Sequence, residues 1–193
     1  MRTMLSIMKK RKNNWIPDDV LYIFERIIHE NFVPNQGSDV GDSKFLEAMG
    51  EHLTQEQRFR IFEQYGGCKG TGRDKERKTF ALEHNDKSLS EKIELYMDAF
   101  GKLYNGQTRN VALNEKDNTI TVTFACSGCY GNFVKGKITS PFALSYEYCA
   151  GGRLYNLETA LGVKLKIKSV HIPSADVGIE NPCVFTFEIE DVL

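Results

Sequence analysis

Residues 111–124, VALNEKDNTITVTF, mark the point where the sequence changes from helical spacing to alternation of apolar and polar residues. Two apolar runs, at 111–113 and 119–124, flank a polar turn, a pattern typical of a β-hairpin. Two more alternating runs follow near the end of the chain, at 165–171 and 183–189. We therefore predict that the second half of the chain forms an antiparallel sheet.

The first hundred residues carry their apolar side chains at helical spacing. The pattern covers 17–34, 45–66 and 89–104, where apolar residues recur three and four positions apart. Thr54 and Gln57 form the signature of a capping box, which indicates a helix start at this point. The N-terminal half is therefore predicted to be helical.

One more helix is predicted between the two hairpins, over 145–161. Ser145 would cap its start and Gly162 would end it, with a buried stripe of Leu154, Leu157 and Leu161. The order helices, hairpin, helix, hairpin predicts an α+β fold, in which N-terminal helices accompany an antiparallel sheet with a packed helix.

The domain prediction follows from length and from shifts in composition. At about 100–200 residues per domain, 193 residues allow one decorated domain. We divide the chain into a basic flexible tail at 1–16, a helical segment at 17–66, a polar loop at 67–88 and an α+β ligand-binding domain at 89–193. The helical segment and the ligand-binding domain are expected to form one compact unit.

Composition excludes several classes of protein. Hydrophobic residues make up 41% of the chain and charged residues 26%, which indicates a packed core. A net charge of −1 gives no overall field for nucleic acid or anionic membrane, and no apolar run reaches the roughly 18 residues of a membrane span. The first apolar residues precede the basic ones, the reverse of a signal peptide, and we expect a cytoplasmic location.

The five cysteines are expected to be reduced, because their number is odd and no export signal is evident. Strand parity then suggests where three of the candidate ligands lie. Side chains two residues apart share a face of a strand, so Cys126, His171 and Cys183 continue the apolar rows of their strands. His171 ends one strand and Cys183 begins the next, which brings both to one end of the sheet. Cys126 would join them if its strand runs parallel to the one ending at His171.

Two further cysteines extend this candidate site. Cys129 follows Cys126 in a C-x-x-C spacing, and Cys149 lies near the start of the 145–161 helix, where the helix dipole would favour a thiolate. Zinc takes four Cys or His ligands in structural sites and three in catalytic ones. We predict a metal site of Cys126, Cys129, Cys149, His171 and Cys183, holding zinc or an iron-containing centre. The simpler alternative is that these cysteines are ordinary buried thiols.

Other candidates carry weaker signals. Glu147, Asp176 and Glu180 lie near the proposed site in sequence and could act as acid or base, although isolated carboxylates are usually surface residues. The glycine-rich stretch 66–73, which contains Cys68, resembles a phosphate-binding loop. It follows a helix rather than a strand, so a helix C-cap explains it more simply.

The C-terminal part also carries a family resemblance. The segments Tyr146–Gly152, Leu161–Leu165 and Pro182–Phe187 are similar to 4-vinyl reductase domains, whose fold is related to haem-nitric-oxide-binding domains and to TRAPP trafficking subunits. More distantly, the chain resembles L-2-amino-thiazoline-4-carboxylic acid hydrolase-like proteins. The resemblance covers about 90–190 and implies an apolar pocket beside the sheet with cysteines near its mouth as metal ligands. It departs from the family where this chain has His171 in place of a cysteine.

Three functions remain open at this point. The first is a small-molecule-binding or sensor domain that holds a small apolar ligand beside a Cys/His metal site. The second is a hydrolase of a small amide or amidine, which would use the metal with Glu147 or Asp176 as base, or Cys129 or Cys149 as nucleophile. The third is a structural interaction module, for which the aromatic residues of 89–104 could form a homodimer interface.

Overall fold

The computed structural model describes residues 2–10, 16–31, 39–66, 73–101, 109–124, 142–172 and 182–192. Within these residues six helices precede the sheet: α1 (Arg2–Met8), α2 (Asp18–Asn31), α3 (Asp39–His52), α4 (Gln55–Tyr65), α5 (Asp74–Glu83) and α6 (Leu89–Phe100). The hairpin β1 (Arg109–Asn114) and β2 (Thr119–Phe124), the helix α7 (Phe142–Leu161), and the strands β3 (Val163–His171) and β4 (Cys183–Val192) follow. The predicted α+β class is confirmed. Within these residues, no helix combines the length and apolar character needed to cross a membrane.

The four strands form one antiparallel sheet in the order β1-β2-β4-β3. The predicted hairpin is confirmed, with Val111 opposite Val122 and Leu113 opposite Ile120. One face of the sheet is buried under α7, whose leucine stripe is buried as predicted, and Gly162 ends that helix at a φ of 67°. The helix begins at Phe142, three residues before the predicted cap, so Ser145 lies inside the helix.

The capping box at the start of α4 is confirmed. The Gln57 backbone N–H donates to Thr54 Oγ1 at 3.3 Å, and the Thr54 N–H donates to Gln57 Oε1 at 2.8 Å. An equivalent box of Ser88 and Glu91 starts α6. The C-terminal end of α7 also has a side-chain partner. Buried Lys92 on α6 donates to the carbonyl of Leu161, the last residue of α7, at 3.3 Å, where a cation complements the helix dipole.

Two local predictions were wrong. The stretch 67–88 was expected to be loop, but it contains α5, because buried Phe80 packs its ring against those of Tyr96 and Phe100, 6.3 and 5.5 Å away. Residues 2–8 were expected to belong to a flexible tail, but they form α1 with three buried apolar side chains, those of Met4, Ile7 and Met8. In both cases the helix is stabilised by packing against other helices, which the local sequence does not reveal.

The strand β3 lies at an edge of the sheet, and two carboxylates cover its outward N–H groups. Glu63 on α4 accepts from Ile167 N at 2.6 Å, and Glu158 on α7 accepts from Leu165 N at 2.9 Å. Burial raises the pKa of Glu63 to about 7, while the Ile167 N–H and Lys166 act in the opposite direction. The two carboxylates prevent this part of the edge from pairing with another strand.

Candidate functional site

The predicted meeting point at one end of the sheet depends on strand direction. Both β2 and β3 run antiparallel to β4, so they run parallel to each other, as the sequence argument required. Phe124 lies opposite Cys183 and His171 lies opposite Val184, which brings the ends of β2 and β3 to the start of β4. Cys126 and Cys129 follow β2 in sequence but lie outside the described residues.

The prediction that His171 shares the core-facing row is wrong. The register of β3 against β4 shifts between Ile167 and Ser169, which is the signature of a β-bulge. Beyond the shift Val170 lies opposite buried Phe185, and His171 is exposed. One extra residue reverses strand parity, so His171 lies on the face of the sheet opposite to Cys183.

Cys183 and Cys149 are both buried. Cys183 shares the core face of β4 with Phe185 and Phe187, as predicted. Cys149 lies two turns inside α7, because the helix starts at Phe142, and the helix dipole therefore acts on it less strongly than expected. In the part of the chain that the structure describes, no three His, Cys, Asp or Glu side chains are grouped closely enough to hold a metal.

Glu147 forms a buried ion pair that joins α4 to α7. Its Oε2 accepts from Arg58 Nε at 2.7 Å and its Oε1 accepts from Arg58 Nη2 at 2.9 Å, while Gln55 Nε2 donates at 3.3 Å. Arg58 also donates to the Leu53 carbonyl at 2.8 Å. Because both carboxylate oxygens are occupied, this geometry fits a structural pair better than a general base. The other acid/base candidates, Asp176 and Glu180, lie outside the described residues, as does Cys68.

A different face of α7 carries an unusual set of buried polar side chains. Cys149, Arg153 and Asn156 are spaced four and three residues apart, which places them on one side of the helix. Their exposed fractions are 1%, 7% and 0%. Neither the amide nitrogen nor the amide oxygen of Asn156 has a hydrogen-bond partner. A fully buried amide without partners is rare in folded proteins and calls for an explanation, such as a functional role or a bound water or ion.

The helix α5 adds a second buried arginine to this region. Arg77 is 4% exposed and donates from Nη1 to Asp74 Oδ1 at 2.9 Å. Asp74 Oδ2 also accepts from the Tyr155 hydroxyl, at 3.0 Å. Burial lowers the pKa of the Arg77 guanidinium, Tyr96 and Asp74 raise it, and the positive charges of Arg153 and Arg73 lower it. Arg77 and Arg153 are therefore within electrostatic range of each other.

We use the name arginine junction for Arg77 on α5, Tyr96 on α6, and Arg153 and Asn156, which lie one turn apart on α7. Tyr96 is fully buried and packs in an aromatic cluster with Phe80 and Phe100, its ring centroid lying 5.0 Å from that of Phe100. The junction thus combines two buried guanidiniums and a buried amide with the rings of an aromatic cluster.

The comparisons with known proteins do not assign a family. No family model matches the chain, and no curated protein matches its sequence. Solved structures with an overall similarity include an H-NOX domain from Shewanella oneidensis studied by NMR in its Fe(II)CO state, at 14% identity and a TM-score of 0.34, covering 88% of this chain and 89% of that one. A crystal structure of a mutant H-NOX protein from the same organism in its Fe(II) state shows 11% identity and a TM-score of 0.35, with 90% and 88% covered.

Sequence reasoning missed the arginine junction, although α7 carried a signal. The helix has only three charged residues, Glu147, Arg153 and Glu158, in twenty positions. A helix with so few charges is buried on most sides, and its polar residues therefore face other elements rather than water. Nothing local marks Arg77, because it lies in a run of charged residues that resembles a solvated surface.

Proposed function

We propose that this chain is a small-molecule-binding domain whose ligand occupies the arginine junction. The observation that carries this proposal is the side chain of Asn156, which is 0% exposed and has no hydrogen-bond partner at either amide atom. The proposal agrees with the ligand-binding function expected from the sequence, but it moves the site from the sheet end to the helices.

The energetic cost of an unpartnered amide supports this interpretation. A buried polar group without a partner costs about 1–3 kcal/mol, and Asn156 has both a donor and an acceptor in this condition. Close by, Arg153 on the same face is also buried, so this part of the core is polar over at least one helical turn. A ligand that hydrogen-bonds to the Asn156 amide would recover this desolvation free energy and stabilise the folded state.

Mass spectrometry of the purified full-length protein tests this function. Under non-denaturing conditions we expect a mass above that of the polypeptide, and the excess should disappear on denaturation. Replacing Asn156 by Leu keeps the volume but removes both polar atoms, so this variant should retain much less of the ligand. If the native and denatured masses agree, and no small molecule in a broad panel raises the Tm, the proposal fails.

A metal centre at the sheet end is the second candidate function. It is supported by the parallel directions of β2 and β3 and by the burial of Cys183 at the start of β4. With His171 on the other face, the proposed ligands reduce to Cys126, Cys129, Cys149 and Cys183, a set that suits zinc. Elemental analysis of protein purified without added metal tests it. Stoichiometric zinc or iron that is lost in a Cys183→Ser variant supports the site, and its absence from the unmodified protein removes it.

A further inference from the structure

We infer that the strand β1 is the interface of a symmetric dimer, in which the β1 strands of two copies of this chain pair antiparallel and join their sheets. The inference goes beyond the proposed small-molecule function and does not depend on it. It is carried by the difference between the two edges of the sheet and by the sequence of β1, which matches itself in one register.

The two edge strands, β3 and β1, differ in the features that usually prevent an edge from pairing. On β3, Glu63 and Glu158 cover outward N–H groups, the register contains a bulge, and three lysines are exposed. On β1, the register against β2 is continuous from Arg109 to Asn114, and residues 110–114 include neither a charged residue nor a proline. An edge of this kind is suited to pairing with another strand.

The hydrogen-bond pattern of the sheet determines which backbone groups of β1 point outward. The Ile189 N–H donates to the Asn118 carbonyl at 3.0 Å, so alternate residues of β2, starting at Thr119, bond toward β1. Their partners are the even-numbered residues of β1, and the N–H and C=O groups of Val111 and Leu113 therefore point away from the sheet. Among the described residues, none bonds to these outward groups.

One register of two antiparallel β1 strands suits both the backbone and the charges. With Ala112 opposite Ala112 of the second copy, Val111 lies opposite Leu113 of the second copy, and these are the residues whose backbone groups point outward. Each of the two Val111–Leu113 pairs would exchange both of its backbone hydrogen bonds. At the ends of the same register Arg109 lies opposite Glu115 of the second copy, so opposite charges occupy facing positions.

The outer face of the sheet fits this register as well. Asn110, Ala112 and Asn114 are all exposed in one copy of the chain. The two Asn110–Asn114 pairs can form amide hydrogen bonds across the interface. The small side chain of Ala112 lies at the two-fold axis, in a non-hydrogen-bonded pair where Cα atoms approach to about 4.5 Å.

Other two-fold registers match less well. A shift in one direction places Glu115 opposite Val111, whose side chain is buried, and a shift in the other places Arg109 opposite Leu113. Both shifts separate the opposite charges. Because β1 complements itself in a single register, a second copy of the chain fits this edge better than an unrelated peptide does.

Analytical ultracentrifugation of the full chain over a concentration series tests the inference. We expect a species of twice the mass of one chain, whose fraction rises with concentration. Ala112→Lys brings like charges together at the two-fold axis and should weaken the dimer by about tenfold or more. The matched control Ser169→Lys adds the same charge at an exposed position of β3 and should leave the dimer unchanged. A monomer at every concentration, or a dimer of equal affinity in the two lysine variants, would overturn the inference.

Disulfide cross-linking tests the register itself. Ala112→Cys would bring two thiols within the Cα separation of about 4.4–6.8 Å that a disulfide requires, so oxidation should link two chains. Asn110→Cys and Asn114→Cys should each fail to link to themselves but should link to each other when mixed. The unmodified protein, which has five cysteines, gives the background. All three positions are exposed, so the variants should fold. No link above background in Ala112→Cys, or an equal link in Asn110→Cys alone, would overturn the pairing of β1 with itself.

Discussion

The helix α7 presents two buried polar faces that differ in how their polar side chains are hydrogen-bonded. Toward α4, Glu147 meets Arg58 in a bidentate pair, and Gln55 adds a third hydrogen bond to the same carboxylate. Toward α5 and α6, Arg153 lies in range of a second arginine, and Asn156 on the same face has no hydrogen-bond partner. The first face is a complete structural contact. The second contains a buried amide, that of Asn156, whose hydrogen bonds are unmade.

This difference shows how buried polar groups can be assigned to structure or to function. A matched pair such as Arg58 and Glu147 recovers most of the desolvation free energy that its burial costs. An unmatched group lowers stability, and proteins keep such groups mainly at sites that do something else. The comparison therefore predicts opposite responses to mutation on the two faces.

The largest expected effect is at the matched face. Arg58→Met leaves the Glu147 carboxylate buried and unpaired, and we expect the free energy of unfolding to fall by about 3–5 kcal/mol. Urea denaturation measures this change. The control Arg60→Met removes an exposed pair and should cost less than about 1 kcal/mol. The double variant Arg58→Met with Glu147→Leu should recover most of the loss. Equal losses of stability in Arg58→Met and Arg60→Met would contradict the assignment of a structural pair.

The same helix contact depends on a close approach of α4 and α7 at Gly151. A Cβ at this position would clash with the backbone carbonyl of Phe62, which cannot move independently of α4. We therefore expect Gly151→Ala to destabilise the protein by about 2–3 kcal/mol, despite the better helix propensity of alanine.

Gly50→Ala is the matched control, because there the added Cβ lies 2.9 Å from Cδ1 of the Leu144 side chain, which can rotate away. Comparable thermal unfolding of the two alanine variants would show that the α4–α7 spacing is adjustable.

A half-buried carboxylate on α4 sharpens the comparison, since Glu63 accepts a hydrogen bond from the backbone N–H of Ile167. Its pKa is raised to about 7, so the folded state binds a proton more tightly than the unfolded state. Its contribution to stability is therefore largest below about pH 4.5 and is lost as pH rises toward and past 7. Between pH 5 and 8, we expect the free energy of unfolding of the wild type, relative to that of Glu63→Gln, to decrease by about 1–2 kcal/mol. The urea denaturation midpoints of both proteins at each pH measure this change. A pH-independent difference would contradict the raised pKa.

The smallest expected effect is at the unmatched face, and it has the opposite sign. In ligand-free protein, Asn156→Leu removes an unpartnered amide without leaving a cavity, so the free energy of unfolding should increase by about 1 kcal/mol. Asn110→Leu on an exposed strand position should change it by less than half of that amount. A loss of stability in Asn156→Leu would mean that the amide is satisfied in the folded protein.

The elements with strong periodic patterns could be predicted from sequence. The hairpin at 111–124, the capping box of Thr54 and Gln57, and the leucine stripe of α7 all match the structure, because each is dictated by residues within a few positions of each other. The failures share a different origin. The helix α5 is stabilised by the packing of Phe80 against rings from α6, which lies further along the chain.

By itself, the sequence determined the α+β class, the antiparallel pairing and the burial of Cys183, since alternation and helical spacing are local properties that the backbone must follow. Only the tertiary structure decided that His171 faces away from Cys183, because a bulge in β3 reverses parity and depends on the pairing with β4. It also decided that α5 packs against α7, where the Tyr155 hydroxyl donates to Asp74, eighty-one positions away in the chain. Contacts of that kind arise from how helices pack against each other. The spacing of residues along either helix therefore does not predict which side chains are buried between them.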